Sequence, residues 1–386
     1  MSSISYVTVW LCKYFCTFFI LVLLPFAVIQ AEEIPAPLEN IEFITKPAKP
    51  GVWLPGGPVP KKFDWLELTS GEWLKGELIA MYNKQLEFDS DELGLLTFDW
   101  EDIKQVRGHH IHSVYLENGE IVVGVLSIEK GKLIITKGET VLEFDRTDII
   151  SFTQGAGKES NFWSGRISLG FNIRRGNTNQ LDYNAQANIK RRTARTRMIV
   201  DYIGNISETE SIETINNHRL SGHYDVFVTR SFYYSPLFAE YFSDPFTNIK
   251  HQATIGVGIG YQIIDTSKTD WNLSGGPGYQ ITQFETVEVG EDDEEESFAL
   301  AVGTRYETEV SKAVDFSIDY SFKLLDKASG GYTHHMIAAL ETEFIKDFDF
   351  DISFVWDHTE NPKAAADGTV PEKDDFRLIF GLGLEF

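Results

Sequence analysis

The sequence predicts an all-β protein in which a pair of small β-modules precedes a 12-stranded antiparallel transmembrane β-barrel. Two observations lead to this prediction: an internal repeat before residue 155, and twelve segments after residue 162 in which apolar and polar residues alternate. Alternation with period two puts every second side chain on the same face of a strand. A mean hydropathy of −0.18 excludes a bundle of transmembrane helices but not a barrel, whose strands average to a neutral value.

The charge and aromatic content exclude two other classes of protein. The chain has 34 basic and 58 acidic residues among 386, a net charge of −24, whereas nucleic-acid binding depends on Lys and Arg that meet phosphates. Aromatic residues make up 13% of the chain, too many for a disordered acidic protein. We therefore expect a folded protein with no nucleic-acid partner.

The amino terminus predicts export from the cytoplasm. Residues 1–31 have the order of a signal peptide, with Lys13 before an apolar run and Ala31 as the small residue at the cleavage point. An uncleaved amino-terminal anchor is the alternative. Both cysteines, Cys12 and Cys16, lie in this segment, so the mature chain would have no disulfide and no thiolate metal site.

The next segment, residues 32–62, holds seven of the thirteen prolines. This density predicts an extended linker without a core of its own.

An internal repeat appears when the chain is shifted by 48 residues. The matching pairs are Leu68 and Leu116, Gly71 and Gly119, Glu72 and Glu120, Gly76 and Gly124, and Leu78 and Leu126. Each copy is typical of short strands joined by tight turns, with a glycine inside a strongly bent second strand. The copies resemble SH3- or Sm-type small barrels, at about residues 63–107 and 108–154. Because Sm-type RNA binding is incompatible with an exported acidic chain, we expect a positioning role and a possible periplasmic partner.

Three histidines stand at the junction of the copies: His109, His110 and His112. They could bind a metal, but alternation would split neighbouring rings across two faces and no Cys or acidic ligand has metal-site spacing. We expect an exposed linker there, and no metal or other cofactor.

The alternating segments predict the strands of the barrel. They are residues 164–176, 180–192, 195–207, 217–229, 231–243, 249–264, 270–284, 297–311, 314–325, 332–345, 348–360 and 375–386. Each is long enough to cross a bilayer at a strong tilt, and an even number is usual for bacterial outer-membrane barrels. Short connections alternate with longer ones, at Glu208–Asn216, Thr286–Glu296 and Asn361–Asp374. This pattern favours short periplasmic turns and longer outer loops.

Two features of this region resemble known outer-membrane proteins. The terminal Phe386, preceded by Leu384, Leu382 and Phe380 on one face, resembles the signal that the barrel assembly machinery recognises. Phe162–Arg166 and Asn172–Thr178 resemble an uncharacterised family of salt-induced outer-membrane proteins, a likeness that covers about residues 160–386. The resemblance implies an outer-membrane barrel in contact with lipid and lipopolysaccharide. Because both ends of such a barrel lie on the side of the short turns, we expect residues 32–160 in the periplasm. It supplies no substrate and no catalytic residues.

The inward faces of the strands carry many charged residues. Those we select as lumen charges are Asp315, Asp319, Asp349, Asp351 and Asp357, with Arg166, Arg174, Arg305 and Arg377. In all, twelve inward carboxylates face six inward bases, an excess that predicts a weak preference for cations. The other interpretation is structural, since charged residues line such a lumen and pair across it.

Three functions are compatible with these residues. The first is a narrow pore for small solutes, and the second is a non-transporting structural or stress-related barrel anchored through its periplasmic modules. The third is an outer-membrane hydrolase, in which one of His334 and His335 would act with Ser329 or Ser353. No catalytic signature motif supports the third hypothesis, so we expect no enzyme.

Overall fold

The computed structural model describes residues 62–155, 159–176, 179–266, 268–311, 313–345 and 348–385. The predicted signal peptide and residues 32–61 of the predicted linker lie outside these ranges. The described chain is all-β, as predicted, with short 3₁₀ turns between some strands. Within these ranges, no helix has the length and apolar composition needed to cross a membrane.

Residues 62–155 form one unit, which we call the β-module. Its strands are β1 Asp64–Leu68, β2 Trp73–Tyr82, β3 Gln85–Ser90, β4 Gly94–Asp99, β5 Ile103–Leu116, β6 Ile121–Glu129, β7 Lys132–Lys137, β8 Thr140–Asp145 and β9 Ile149–Gln154. Their order in the sheet is β4-β3-β2-β1-β5-β6-β7-β8, and β9 pairs with both β2 and β5. All pairs are antiparallel.

The repeat found in the sequence reappears in the order of these strands. In each copy the first strand pairs with the second and the fifth, and a 3₁₀ turn precedes the fifth strand. The predicted boundary between residues 107 and 108 lies inside β5, which ends one copy and begins the other. The fifth strands are also exchanged: the start of β5 pairs with β6, and β9 pairs with β2. One apolar core, from Leu66 to Phe152, therefore draws on both copies.

The prediction that the three histidines form an exposed linker is wrong, because all three lie in β5. His112 is fully buried, and its ring nitrogens face the carbonyl oxygens of Leu78 and His110 at 2.9 and 3.0 Å. The histidines are part of the sheet because of Asp64, a fully buried carboxylate on the neighbouring strand β1. It accepts hydrogen bonds from the backbone amides of Leu78, His109 and His110 at 2.8, 2.5 and 3.1 Å. The histidines thus belong to a buried polar cluster that joins β1, β2 and β5.

The remaining residues close into a 12-stranded antiparallel barrel, as predicted. Its strands are β10 Trp163–Arg174, β11 Gln180–Arg192, β12 Thr196–Thr209, β13 Ile212–Phe227, β14 Phe232–Asp244, β15 Ile249–Asp265, β16 Thr269–Phe284, β17 Glu294–Ser311, β18 Val314–Leu324, β19 Tyr332–Ile345, β20 Phe348–Thr359 and β21 Asp374–Glu385. Each strand pairs with the next, and β10 pairs with β21 to close the barrel. Both barrel ends of the chain lie at the mouth with the short hairpins.

The outer surface of the barrel is an apolar band. Leu169, Val257 and Phe380 are each more than half exposed, and the alternate residues of their strands point inward. Leu382 and Leu384 share this outer face with Phe380, while Phe386 lies outside the described residues, so the assembly signal stays a prediction. A contiguous exposed apolar surface of this size is unstable in water and suits the hydrocarbon of a bilayer.

One predicted connection is wrong. Residues 208–216 do not form a long loop, because β12 continues to Thr209 and β13 begins at Ile212. Glu210 and Ser211 form a two-residue turn, both with positive φ of 52° and 63°, as tight hairpins require. The polar residues that indicated a loop belong instead to the end of a regular hairpin.

Glycines inside the barrel make room for two aromatic rings. A Cβ on Gly260 would overlap the ring of Tyr233, which is buried on the neighbouring strand, and a Cβ on Gly256 would overlap that of Phe238. Gly303 has room for a Cβ, because the nearest atoms, in Ser274 and Tyr320, would each be 3.6 Å from it.

We expect Gly260→Ala to destabilise the barrel by about 1–3 kcal/mol, because the Tyr233 ring, which packs on Phe227 at 5.3 Å, must shift. The matched variant Gly303→Ala should stay close to wild type. The measurement is the temperature at which each barrel loses its folded gel mobility. Equal losses in the two variants would show that the room beside Gly260 is not needed.

Candidate functional site: the lumen and its two mouths

Two cavities lie in the described part of the barrel lumen. The larger has a volume of about 820 Å³ and is lined by side chains from strands all round the barrel and from the β-module. The smaller, of about 70 Å³, lies at the mouth opposite the short hairpins. Arg219, Lys323 and His335 line both cavities and so mark the boundary between them.

An ion-pair layer crosses the lumen at this boundary. Asp357 accepts from Arg219 on the opposite wall at 2.8 Å and lies 2.7 Å from the His335 ring. It also pairs with Arg377. Glu240 extends the layer, with Arg219 at 2.9 Å and Lys323 at 2.6 Å. Each carboxylate of the layer therefore holds two or three cationic or basic groups.

Further ion pairs line the wall of the larger cavity. Arg305 reaches across to Asp201 at 3.0 Å and pairs with Asp319 on the adjacent strand at 2.6 Å. Arg197 and Asp225, both buried, pair at 2.8 Å close to the short hairpins. Each pair offsets the free-energy cost of taking its two charges out of water. If one partner is removed, the other remains as a buried charge without compensation.

A third group of charges lies near the closure of the barrel. Arg166 on β10 pairs with Glu341 and lies 3.1 Å from Asp349. Asp351 is also buried, and its carboxylate lies beside Gly381 and Gly383 of β21, which leave it space.

Eight of the nine selected lumen charges lie at these ion pairs or line a cavity. Asp315, Asp319, Asp351, Arg166 and Arg305 line the larger cavity, and Asp357 lines the smaller one. Asp349 and Arg377 are held by Arg166 and Asp357. Arg174 differs, because it is exposed at the outer end of β10 and lines neither cavity in the described structure.

Sequence reasoning missed three charged residues that matter here: Arg197, Arg219 and Glu240. The first two share a strand face with Asp201 and Asp225, so the alternation could have revealed them. Glu240 could not be found in this way. The pairing of β14 with β15 shifts between Ser235 and Phe238, so the inward face changes from odd to even residues.

Apolar side chains also fill part of the lumen. Ile203, Val355 and Ile379 are almost completely buried inward and pack together, with Ile337 against them. On β20 and β21, Val355 and Ile379 lie two residues from Asp357 and Arg377 of the ion-pair layer, on the side nearer the β-module. The lumen is therefore narrowed by an apolar cluster as well as by charges.

The mouth at the other end of the barrel from the β-module is covered by a connection that folds across it. The Asn248 amide donates to the carbonyl oxygens of Lys363 and Ala364 at 3.2 Å each. Lys363 in turn pairs with Glu291 at 2.8 Å, within the acidic run of the connection between β16 and β17. Residues 360–373 thus tie three outer connections together.

Of the groups considered for hydrolysis, Ser329, His335 and Asp357 line the smaller cavity together, but the buried Ser329 hydroxyl makes no hydrogen bond to the His335 ring. His335 is bound to Asp357, but Ser353 donates to Gln186 at 3.5 Å and lies on the polar wall. His334 faces the outside of the barrel, where its ring stacks on Trp356 at 5.4 Å. Among the residues described, no three His, Cys, Asp or Glu side chains are arranged to hold a metal ion.

The mouth at which the five short hairpins predicted from the sequence lie is occupied by the β-module. Its residues Tyr82, Asn83, Gln85 and Glu87, from the β2–β3 hairpin, line the larger cavity together with the barrel wall. The tip of this hairpin therefore forms part of the floor of the lumen.

One protein family and several solved structures are similar to this chain. Residues 167–386 match DUF481, a family described as a protein of unknown function. No curated protein matches the chain. The solved structures that are similar include the NanC porin, with 8% identity over 58% of this chain and 98% of that one, and a TM-score of 0.35.

Two further barrels are similar at the same level. The translocator domain of the autotransporter NalP from Neisseria meningitidis has 11% identity over 58% of this chain and 87% of that one, with a TM-score of 0.31. The outer-membrane channel DcaP of Acinetobacter baumannii has 10% identity over 84% and 94%, with a TM-score of 0.29. At such scores these likenesses establish nothing about what this chain binds or transports.

Proposed function

The chain belongs to the DUF481 family of proteins of unknown function, and we propose that it is an outer-membrane barrel forming a narrow, weakly cation-preferring pore for small solutes. The observation that carries the proposal is a cavity of about 820 Å³, lined by charged as well as apolar side chains, inside a closed barrel with an apolar exterior. The apolar band would contact lipid and lipopolysaccharide, and the last strand would contact the barrel assembly machinery.

The charges of the cavity support a weak preference for cations. Among the described residues, eleven carboxylates and eight Lys or Arg side chains line the larger cavity. The excess in this cavity is three, against six predicted for the whole lumen, and Arg197 and Arg219 are among the bases that the sequence did not reveal. Unequal charges in a lumen with low-dielectric walls raise the local concentration of the opposite ion. Pairing hides part of this excess, so we expect a preference rather than strict selection.

A non-transporting structural barrel is the second candidate. The ion-pair layer around Asp357 and the apolar cluster around Val355 favour it, since both place side chains across the lumen. The two candidates differ in one measurable property, the conductance of the protein in a bilayer.

The test is the reversal potential of the full chain in a planar bilayer that separates two KCl concentrations. We expect the wild type to prefer cations, and Asp349→Asn with Asp351→Asn to move the reversal potential toward the nonselective value. The lower salt concentration should be about 0.1 M or less, because screening shortens the reach of the charges to ~3 Å at 1 M.

The matched control removes the same number of negative charges at a position outside the lumen. Asp292→Asn with Asp293→Asn, in the exposed connection between β16 and β17, should keep the wild-type reversal potential. A wild type that prefers anions would refute the selectivity, and a correctly inserted protein without any conductance would refute the pore in favour of the structural barrel.

A further inference from the structure

The β-module touches the periplasmic rim at three adjacent hairpins of the barrel. At the β11–β12 hairpin, the Tyr82 hydroxyl donates to the Arg192 carbonyl oxygen at 3.0 Å, and the Ser151 hydroxyl donates to that of Ala194. At the β15–β16 hairpin, the Asn83 amide donates to Asp270 at 2.9 Å. These contacts place the β2–β3 hairpin directly over the mouth.

The third hairpin, β13–β14, is held from both sides. The Tyr115 hydroxyl donates to the Phe227 carbonyl oxygen at 2.8 Å. In return, the Arg230 guanidinium donates to the Ile149 carbonyl oxygen at 2.7 Å and lies 3.5 Å from Glu117. The contact therefore uses donors from both the module and the barrel.

A small buried cluster accompanies these hydrogen bonds. Tyr115 and Ile150 of the module pack with Ala194, Phe227 and Tyr233 of the barrel. The Arg192 guanidinium lies 4.0 Å from the Phe227 ring and 5.1 Å from the Tyr82 ring, one from each partner. This is a compact interface in which hydrogen bonds to backbone carbonyls predominate, the kind that separates more readily than a large apolar one.

We propose that the β-module is a stopper for the periplasmic mouth, and that solutes pass only when it leaves the three hairpins. The inference rests on the proposed pore function. Two observations carry it: four residues of the β2–β3 hairpin form part of the floor of the larger cavity, and the module has its own core, which undocking would leave intact. The stopper moves as a body and the barrel keeps its strand pairing.

The first experiment locks the stopper in the full chain. Asn83→Cys with Asp270→Cys puts two thiols where the side chains now meet, and a short bis-methanethiosulfonate joins them reversibly. We expect the bridged protein to lose most of its channel openings in a planar bilayer and to regain them when a reductant cleaves the bridge. The single-cysteine variants, treated in the same way, should conduct as before. Unchanged conductance of the bridged protein would overturn the stopper.

The second experiment does not depend on conductance, so it separates failure of the stopper from failure of the pore. Ser221→Cys places a thiol in the larger cavity, where a charged methanethiosulfonate reports access. Adding Tyr115→Phe and Arg230→Ala weakens docking, and we expect the labelling rate to rise about tenfold. Lys132→Ala, at an exposed position at the start of β7, is the control and should leave the rate unchanged. An unchanged rate in the weakened variant would refute the stopper, whereas a raised rate without conductance would refute the pore alone.

Discussion

Replacing Asp64 by alanine is expected to unfold the β-module in urea that leaves the wild-type module folded, at a cost of about 3–5 kcal/mol. The carboxylate is fully buried and serves three backbone amides and the His110 ring, which lies 3.0 Å away. Without it, the Leu78 amide stays buried and unpaired, which costs about 1–3 kcal/mol, and the half-buried donors of His109 and His110 lose their partner.

The measurement is pulse proteolysis of the full-length protein across a urea series, with cleavage inside residues 62–155 as the readout. Glu143→Ala is the matched control, because this side chain is 63% exposed and its ion pair with Lys132 is long, at 3.9 Å. Exposed pairs contribute only about 0–1 kcal/mol, so the control should stay near wild type. A module with Asp64→Ala that resists urea like the control would contradict the role of the buried cluster.

Acid should weaken the β-module through the same residue. Burial alone would raise the pKa of Asp64, but hydrogen bonds from the His110 ring and the His109 and Leu78 amides, with the nearby His112, lower it to about 2. Because the pKa of Asp64 is lower in the folded than in the unfolded module, its ionisation stabilises the folded module at pH values above the unfolded pKa near 3.8. This stabilisation is lost as the pH falls toward 2. The Asp64→Ala variant should lack this part of the acid dependence.

The strands of the barrel could be predicted from the sequence because their environment repeats every second residue. Lipid on one side and a polar lumen on the other impose an alternation that survives in a single chain, as in Phe376 to Leu384. The predicted strand boundaries are wrong where this alternating environment ends. Glu210 and Ser211 stand on a hairpin outside the apolar band, where polarity no longer distinguishes a strand from a loop.

The contacts inside the lumen could be predicted only in part. Alternation indicates that Asp357 and Arg377 face inward, but it does not indicate that Arg219 on the opposite wall meets both Asp357 and Glu240. A shift of register hid Glu240 itself. The docking of the β-module has no sequence signature, because it depends largely on backbone carbonyl oxygens such as that of Phe227, which every residue carries.

Thiol labelling of bacterial cells tests most directly our proposal that the barrel spans the outer membrane with the β-module on its periplasmic side. Asp367→Cys lies in the exposed connection between β20 and β21, and Glu143→Cys lies on the exposed strand β8 of the module. The unsubstituted chain corrects for Cys12 and Cys16. With a membrane-impermeant maleimide, we predict labelling of Asp367→Cys on intact cells, and of Glu143→Cys only after the outer membrane is permeabilised. Labelling of Glu143→Cys on intact cells, or of neither variant until the inner membrane is broken, would contradict the proposal.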